Sequence, residues 1–201
     1  MAVDIDADGI RALFPEVDRI KDKALRQGVI DIWLDTAREC AWTRFEEIPK
    51  NLDAEAGRTL VGHIQGVTAM AIKLAEIAQD LHGTPVDWDM LIAACLLHDV
   101  SKPMECEPDP DKPAGNAGVK PSRKSEIGAK IQHGVYAAHK VFEKGLPVQL
   151  AHLVVTHTHA SNVRTPTFEG ACLFYADYAD SDAGIIPVGG KSFAQRWELG
   201  K

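Results

Sequence analysis

The sequence predicts an all-α protein, and three segments carry this prediction. From Val61 to Leu81, apolar residues recur at steps of three and four, which is the spacing of one buried helix face. The segment from Trp88 to His98 is apolar nearly throughout. It is richer in Ala, Leu and Met than in β-branched residues, which favours a buried helix over a strand. Ser125 to Lys144 is predicted to be a third helix, with Ser125 as its N-cap and Gly145 at its end.

The rest of the chain adds shorter helices and one irregular stretch. Two amphipathic helices are expected before a break near Ile48 to Asn51, and further helices are expected over residues 148–156 and 168–180. Prolines and glycines recur between Pro103 and Pro121, and they exclude a helix or a central strand there. This loop is either a functional element such as a lid or a disordered stretch.

The composition indicates a globular protein with an acidic surface. The chain has 201 residues, 45% of them hydrophobic, which is enough to bury a core. Acidic residues outnumber basic ones by 29 to 22, so the formal net charge is −7. A nucleic-acid polymer is therefore not expected as the main partner, because binding its phosphates needs a basic face.

The apolar segments and the cysteines predict a cytoplasmic protein. The longest apolar run, Met90 to Leu97, is too short to cross a bilayer, so no membrane partner is expected. Met1 to Ile10 carries three aspartates where a signal peptide would have positive charge. The four cysteines have no CxxC spacing, and disulfides are not expected.

Histidine is the unusual residue type, because all eight histidines lie between His63 and His159. His63 stands early in the first strong helix, His98 and Asp99 close the buried helix, and Asp177 lies in the last helix. Imidazole and carboxylate are the usual ligands of iron, manganese, zinc or nickel, and the lack of a cysteine cluster argues against a thiolate zinc site. At a helix end the backbone unwinds, so adjacent His98 and Asp99 can turn toward one ion.

These residues stand in the words "GHIQGV", "LLHDVSKP" and "FYADYAD", and the set resembles the HD-domain superfamily of metal-dependent phosphohydrolases. The resemblance runs from about Arg58 to Asp182. It implies an orthogonal helical core, the HD domain, over residues 51–184. Additional N-terminal helices over 1–50 are expected to form an extension, and residues 185–201 are expected to form a C-terminal tail packed on or near the core.

The resemblance also implies a two-metal site with six ligands. The ions would be divalent transition metals, two per chain, with iron or manganese favoured and zinc, nickel or cobalt as alternatives. Asp99 would bridge the two ions. One ion would be held by His63, His98 and Asp177, and the other by His133 and His157. His159 follows His157 by two residues and competes with it for the second ion, and His139 competes in the same way with His133.

Residues near these ligands are candidates for the reaction and for substrate binding. Asp99 and Lys102 are the catalytic candidates, because Lys102 resembles the lysine of the family's HDxxK motif and would stabilise charge on a substrate phosphate. A solvated lysine at a helix C-terminus is the alternative. His159, Arg123 and Lys124 are further substrate-binding candidates. Asp180 and Asp182 are expected to be exposed, although Asp180 lies one helical turn from Asp177 and could bond into the site.

The function that the resemblance implies is hydrolysis of a phosphate ester of a nucleotide or small metabolite by a metal-bound hydroxide. A di-iron oxygenase that cleaves a carbon bond of a polyol or phosphonate is an alternative with the same ligands. A nucleotide-sensing regulatory module without turnover is a second alternative. The words "HT" and "YADY" are most similar to the symmetrical diadenosine tetraphosphate hydrolases, but Leu60 stands where that subgroup has an arginine. The substrate and the oligomeric state stay open.

Overall fold

A computed structural model describes residues 2–51, 57–112 and 120–198 of the chain, and it confirms the all-α class. The helices in chain order are α1 (Ala7–Leu13), α2 (Lys23–Glu39), α3 (Leu60–His82), α4 (Trp88–Leu97), α5 (Lys102–Glu105), α6 (Glu126–Lys130), α7 (Val135–Glu143), α8 (Val148–Thr156), α9 (Phe168–Ile185) and α10 (Phe193–Glu198). Short 3₁₀ turns lie between α1 and α2, before α3, and between α9 and α10.

The N-terminal helices share the hydrophobic core with the rest of the chain. The side chain of Asp6 caps α1, and that of Asp22 caps α2. Trp33 on α2 is fully buried, and its indole N–H donates to the carbonyl of Leu96 at the end of α4. A second buried indole, that of Trp42, donates to a backbone carbonyl at the start of the first strand. The N-terminal region therefore supports the segment that follows α4.

Helices α3, α4 and α9 form the centre of the fold. α3 begins at the Thr59 cap and ends where Gly83 adopts a φ of 66°, a left-handed conformation that favours glycine. It packs most extensively against α9, and α4 lies buried beside both. The prediction that the apolar face of α3 is buried along its whole length is wrong at the C-terminal end of the helix. Leu74, Ile77 and Leu81 are 40%, 55% and 73% exposed, because this end of α3 extends past the helices that cover its first half.

The prediction of one continuous helix from Ser125 to Lys144 is wrong in the middle of this segment, because the chain forms two helices, α6 and α7, with a break between them. Ser125 caps the first of these two helices as predicted. Gly134 adopts a φ of 85°, and a Cβ there would lie 2.8 Å from the carbonyl oxygen of Val154. The helical pattern does not reveal this requirement, since it arises from contact with α8. The break leaves His133 outside both helices.

The proline-containing segment is more ordered at both ends than expected. The exclusion of helix between Pro103 and Pro121 is wrong at its start, because Pro103 is the second residue of α5, where its missing N–H is not needed. Two strands follow, β1 (Cys106–Pro108) and β2 (Ser122–Lys124), and they pair antiparallel. Both are edge strands, which tolerate proline. The middle of the segment, 113–119, lies outside the described residues, so the lid hypothesis cannot be located on the fold.

The cysteines and the helix lengths agree with what the sequence predicts about disulfides and membrane spans. All four cysteines are free and buried. Among the helices of the described ranges, none combines the length and the apolar character needed to cross a membrane.

Candidate metal centre

Six side chains of ligand type meet where the ends of several helices converge. His63 lies in the first turn of α3, and Asp177 lies on α9, which packs along α3. The other four lie beside helix ends or in the break between α6 and α7, where the backbone can turn their side chains inward. They are His98 and Asp99 after α4, His133 before α7, and His157 after α8.

The six residues form two groups of three, each with its ligand atoms within 4.8 Å of one another. In the first group, Nε2 of His63 lies 3.3 Å from Nε2 of His98 and 3.2 Å from Oδ1 of Asp177. We call this group cluster 1. Cluster 2 consists of Asp99, His133 and His157.

Asp99 lies between the two clusters and faces both. Its Oδ1 is 2.9 Å from Nε2 of His133 and 3.8 Å from Nε2 of His157. Its Oδ2 is 3.4 Å from Nε2 of His63 and 3.8 Å from Nε2 of His98. One carboxylate oxygen is therefore directed at each cluster, which is the arrangement of a bridging ligand.

Backbone carbonyls orient two of the imidazoles. Nδ1 of His98 lies 2.6 Å from the carbonyl oxygen of Cys95, and Nδ1 of His157 lies 2.6 Å from that of Val154. A carbonyl oxygen only accepts, so Nδ1 carries the hydrogen in both rings. In the neutral ring, the lone pair is then on Nε2, the atom that faces the cluster.

Carboxylates orient the other two imidazoles. Nδ1 of His63 lies 2.6 Å from Oδ2 of Asp180, and Nδ1 of His133 lies 2.7 and 2.9 Å from the two carboxylate oxygens of Glu105. A carboxylate that accepts from Nδ1 fixes the ring and increases the basicity of Nε2. Each cluster therefore has one histidine held by a carboxylate and one held by a carbonyl.

The donor atoms fit divalent transition metals. Nε2 of His133 lies only 3.2 Å from Nε2 of His157, and the His63 and His98 pair is similarly close. In each pair the two Nε2 atoms converge on one space, which a shared proton or a bound metal ion would occupy. Nitrogen and carboxylate oxygen ligands without a thiolate suit iron, manganese, zinc, nickel or cobalt.

The pKa values differ between the carboxylate-held and the carbonyl-held histidines. Burial lowers the pKa of His63, but hydrogen bonds to Asp177, Asp180 and Asp99 outweigh it and raise the pKa to about 10. Burial likewise opposes the shift at His133, where Asp99 and Glu105 raise the pKa to about 9. In the metal-free protein, each cluster thus holds one imidazolium at neutral pH.

The carbonyl-held histidines stay neutral. Burial lowers the pKa of His157 to about 3, and the neighbouring His133 adds to this effect. Burial also lowers the pKa of His98. Burial raises the pKa of Asp99, but Lys102 and the hydrogen bonds to His133 and His63 outweigh it and hold the pKa well below its usual range. Asp99 is therefore ionised, as a metal ligand must be.

Asp180 is buried, and the expectation that it is exposed is wrong. It is 6% exposed, since its carboxylate lies between His63 and the guanidinium of Arg58. Arg58 also donates to the Asp180 carbonyl at 2.9 Å. A Cβ at Gly66 on α3 would overlap this carboxylate, so glycine leaves the room that it needs. The three-residue spacing from Asp177 was the signal for this contact in the sequence.

The two clusters open into a cavity of about 580 Å³. Lys50 and Lys102 lie on its wall, and so does Arg196 from α10. Lys50 is 5% exposed, and its ammonium donates to the hydroxyl of Ser181 at 2.5 Å. Sequence reasoning missed Lys50 and Arg196, because they lie outside the motif words and reach the cavity only through the fold.

The predicted substrate-binding residues occupy three different places. Lys102 and His159 line the cavity, whereas Lys124 lines an adjoining groove of about 380 Å³ that also contains Lys102. Arg123 pairs with Glu107 across the two-stranded ladder, at 2.7 Å. Burial lowers the pKa of Lys102, but Asp99 and Glu105 more than offset this effect, so the ammonium stays charged.

Two histidines that competed for the second cluster lie elsewhere. His159 is exposed, and its Nδ1 lies 2.6 Å from the hydroxyl of Tyr178. His139 is exposed on α7. His157 and His133 are therefore the histidines that face Asp99.

Comparisons with known proteins agree with this geometry. The sequence model of the HD domain matches residues 60–182, which include all six ligand-type residues. A dihydroneopterin 2′,3′-cyclic phosphate phosphodiesterase from Methanocaldococcus jannaschii is 26% identical to the chain over 187 residues, an alignment that covers 85% of this chain and 68% of that protein. No solved structure matches the chain.

Proposed function

The chain belongs to the HD domain family and is a metal-dependent phosphohydrolase, and we propose that it hydrolyses a phosphate ester of a nucleotide or another small metabolite. The observation that carries this proposal is the position of Asp99, with one carboxylate oxygen directed at each cluster. It supports two ions per chain. His63, His98 and Asp177 would hold the first ion, and Asp99 would be shared with the second.

Asp99, His133 and His157 would hold the second ion, since their ligand atoms lie within 4.8 Å of one another. We favour iron or manganese for both positions, as the family resemblance implies, and the nitrogen and oxygen ligands fit zinc, nickel and cobalt as alternatives. Bound divalent ions lower the pKa of water and polarise phosphate oxygens, which provides a nucleophile near neutral pH.

The cavity supplies positive charge for the substrate. Lys102 keeps its proton and lies beside the clusters, where its ammonium stabilises negative charge that builds on the phosphate in the transition state. Lys50 and Arg196 line the same cavity. An acidic protein with a net charge of −7 therefore carries a cationic site for an anionic substrate.

The relative named above acts on a cyclic phosphate, a phosphodiester within one molecule. Its alignment with most of this chain supports including cyclic phosphodiesters among the substrates of this protein. Monoesters and cyclic diesters need the same ligands and the same cation at Lys102, so the distinction between them depends on the cavity walls.

The test is phosphate release or ester cleavage by purified protein loaded with iron or manganese. Candidate substrates are nucleoside monophosphates, 2′,3′-cyclic nucleotides and sugar phosphates. Lys102→Met is expected to lower kcat by about a hundredfold, since one charge-stabilising donor is lost. Lys130→Met is the matched control, because Lys130 is exposed and its ion pair among the described residues is with Glu126, one helical turn away. Its activity is expected to equal that of the unchanged protein.

Two outcomes would contradict the proposal. One is the absence of hydrolysis with two ions bound per chain, which would favour a ligand-binding module without turnover. The other is oxygen consumption by the iron-loaded protein without phosphate release, which would favour the oxygenase reaction with the same ligands.

A further inference from the structure

Three aromatic rings form one side of the cavity beside the clusters. They belong to His159 after α8, Tyr178 on α9 and Phe193 on α10, and we call them the aromatic wall. Tyr178 and Phe193 are stacked, with ring centroids 3.6 Å apart and planes 25° apart. The ring of His159 lies 5.8 Å from Tyr178 and 5.6 Å from Phe193. Tyr178 and Asp177 both line this cavity, so the wall and cluster 1 face the same space.

Polar contacts hold the wall in position. The hydroxyl of Tyr178 accepts from the backbone N–H of His159 at 2.9 Å and shares a 2.6 Å hydrogen bond with its Nδ1. The backbone N–H of Phe193 donates to both carboxylate oxygens of Asp182, at 2.7 and 3.0 Å. Arg196 lies 3.4 Å from the same carboxylate. These contacts fix α10 against α9, so the rings are positioned before a ligand arrives.

The two sides of the cavity differ in chemistry. The clusters, Lys50 and Lys102 provide charge that suits a phosphate. The aromatic wall provides ring surface from the half-buried Tyr178 and Phe193 and from the exposed His159, and Arg196 lines the same cavity as a hydrogen-bond donor. A cavity of about 580 Å³ falls in the size range of sites for drug-sized ligands and is far larger than a phosphate group needs. A flat ring gains about tenfold to a hundredfold in affinity by stacking on an aromatic side chain.

We propose that the aromatic wall binds a flat heterocyclic ring of the substrate, while the phosphate of the same molecule lies at the clusters. This assignment rests on the proposed function for the phosphate end, and it narrows the substrate class to phosphate esters that carry an aromatic heterocycle. Arg196 is positioned to donate to acceptor atoms on the ring edge.

The first test compares ligands that share a phosphate and differ in the ring. Equilibrium binding is measured by calorimetry with the metal-loaded protein and four probes: AMP, GMP, 4-methylumbelliferyl phosphate and ribose 5-phosphate. At least one ring-bearing probe is expected to bind tenfold or more tightly than ribose 5-phosphate. If none of the three does so, the proposal is overturned.

The second test changes the wall. Phe193→Leu is expected to raise the Kd and KM for the preferred ring-bearing probe about tenfold, with kcat nearly unchanged, and to leave the binding of ribose 5-phosphate unaffected. Phe193→Tyr keeps a ring and is expected to restore the affinity. Phe142→Leu is the matched control, because Phe142 is 55% exposed on α7 and is not among the residues that line the cavity. An equal loss for both kinds of probe in Phe193→Leu would indicate a structural role and overturn the proposal.

The same measurements separate this proposal from the proposed function. Tight binding of a ring-bearing probe without hydrolysis in any metal state would support the role of the aromatic wall and contradict the proposed hydrolysis of the phosphate ester. Hydrolysis without any preference for a ring would support the proposed function and contradict the proposed role of the aromatic wall.

Discussion

Replacing Asp180 with asparagine is expected to weaken the ion at cluster 1 and to leave cluster 2 intact. The Asp180 carboxylate is 6% exposed and lies 2.6 Å from Nδ1 of His63, so the negative charge acts on this ring with little screening. Asparagine keeps the shape and an acceptor oxygen but removes the charge. Arg58 keeps its bond to the backbone carbonyl at position 180.

The expected magnitude is a tenfold to hundredfold loss of affinity, which corresponds to about 1.4–2.8 kcal/mol. Glu105→Gln is the matched change at cluster 2, because Glu105 holds His133 as Asp180 holds His63. It is expected to weaken the second ion by a similar factor. The two variants therefore serve as controls for each other.

The assay is the number of ions per chain after dialysis, measured by elemental analysis, together with competition against a chromogenic chelator. The unchanged protein is expected to hold two ions, and each variant is expected to lose one of them at a lower chelator concentration. Equal weakening of both ions in both variants would refute the reasoning, because it would mean that the carboxylates act on the fold and not on separate clusters. Unchanged affinity in both variants would refute it as well.

Three further predictions concern the fold around the site. Gly66→Ala would stabilise an ordinary helix by up to about 1 kcal/mol, but here the new Cβ overlaps the Asp180 carboxylate, so thermal unfolding is expected at a lower temperature and with less bound metal. A stability gain at full metal content would contradict this. Chelation is expected to lower Tm by about 5 to 10 °C per ion, taking each free ion at a hundred times its Kd, and a constant Tm would show that the ions do not support the fold. In the metal-free protein, the raised pKa values of His63 and His133, about 10 and 9, stabilise the fold fully below about pH 6.5, where the unfolded rings are also protonated. Because this contribution is lost as the pH rises toward 9 and 10, denaturant titrations are expected to show a falling free energy of unfolding between pH 7 and 10, and a rising one would be inconsistent with these charges.

Regular helices could be predicted from the sequence where one face or the whole surface is apolar. α3 and α4 begin and end within one or two residues of the prediction, because periodicity and apolar content report burial directly. The break at Gly134 was missed because it depends on the Val154 carbonyl of another helix. The two-stranded ladder was missed because three residues are too few to show an alternating pattern.

The six residues that meet at the site could be predicted from the sequence, whereas most of the contacts that orient them could not. Adjacent His98 and Asp99 after an apolar helix are visible in the sequence, since a buried charge there needs a partner. The spacing from Asp177 indicated that Asp180 could bond into the site, but the contact of Asp180 with His63 and that of Lys50 with Ser181 depend on how α9 packs.

The packing of α3 against α9 also bears on synthesis, because the chain emerges from the ribosome in order. All three ligands of cluster 2 have been made once His157 has appeared. Cluster 1 waits for Asp177, and the buried face of α3 that carries His63 has no α9 to cover it until then. The nascent chain therefore passes through a stage in which all ligands of cluster 2 are present while cluster 1 lacks Asp177. The buried face of α3, an early helix, is covered only after α9 has been made.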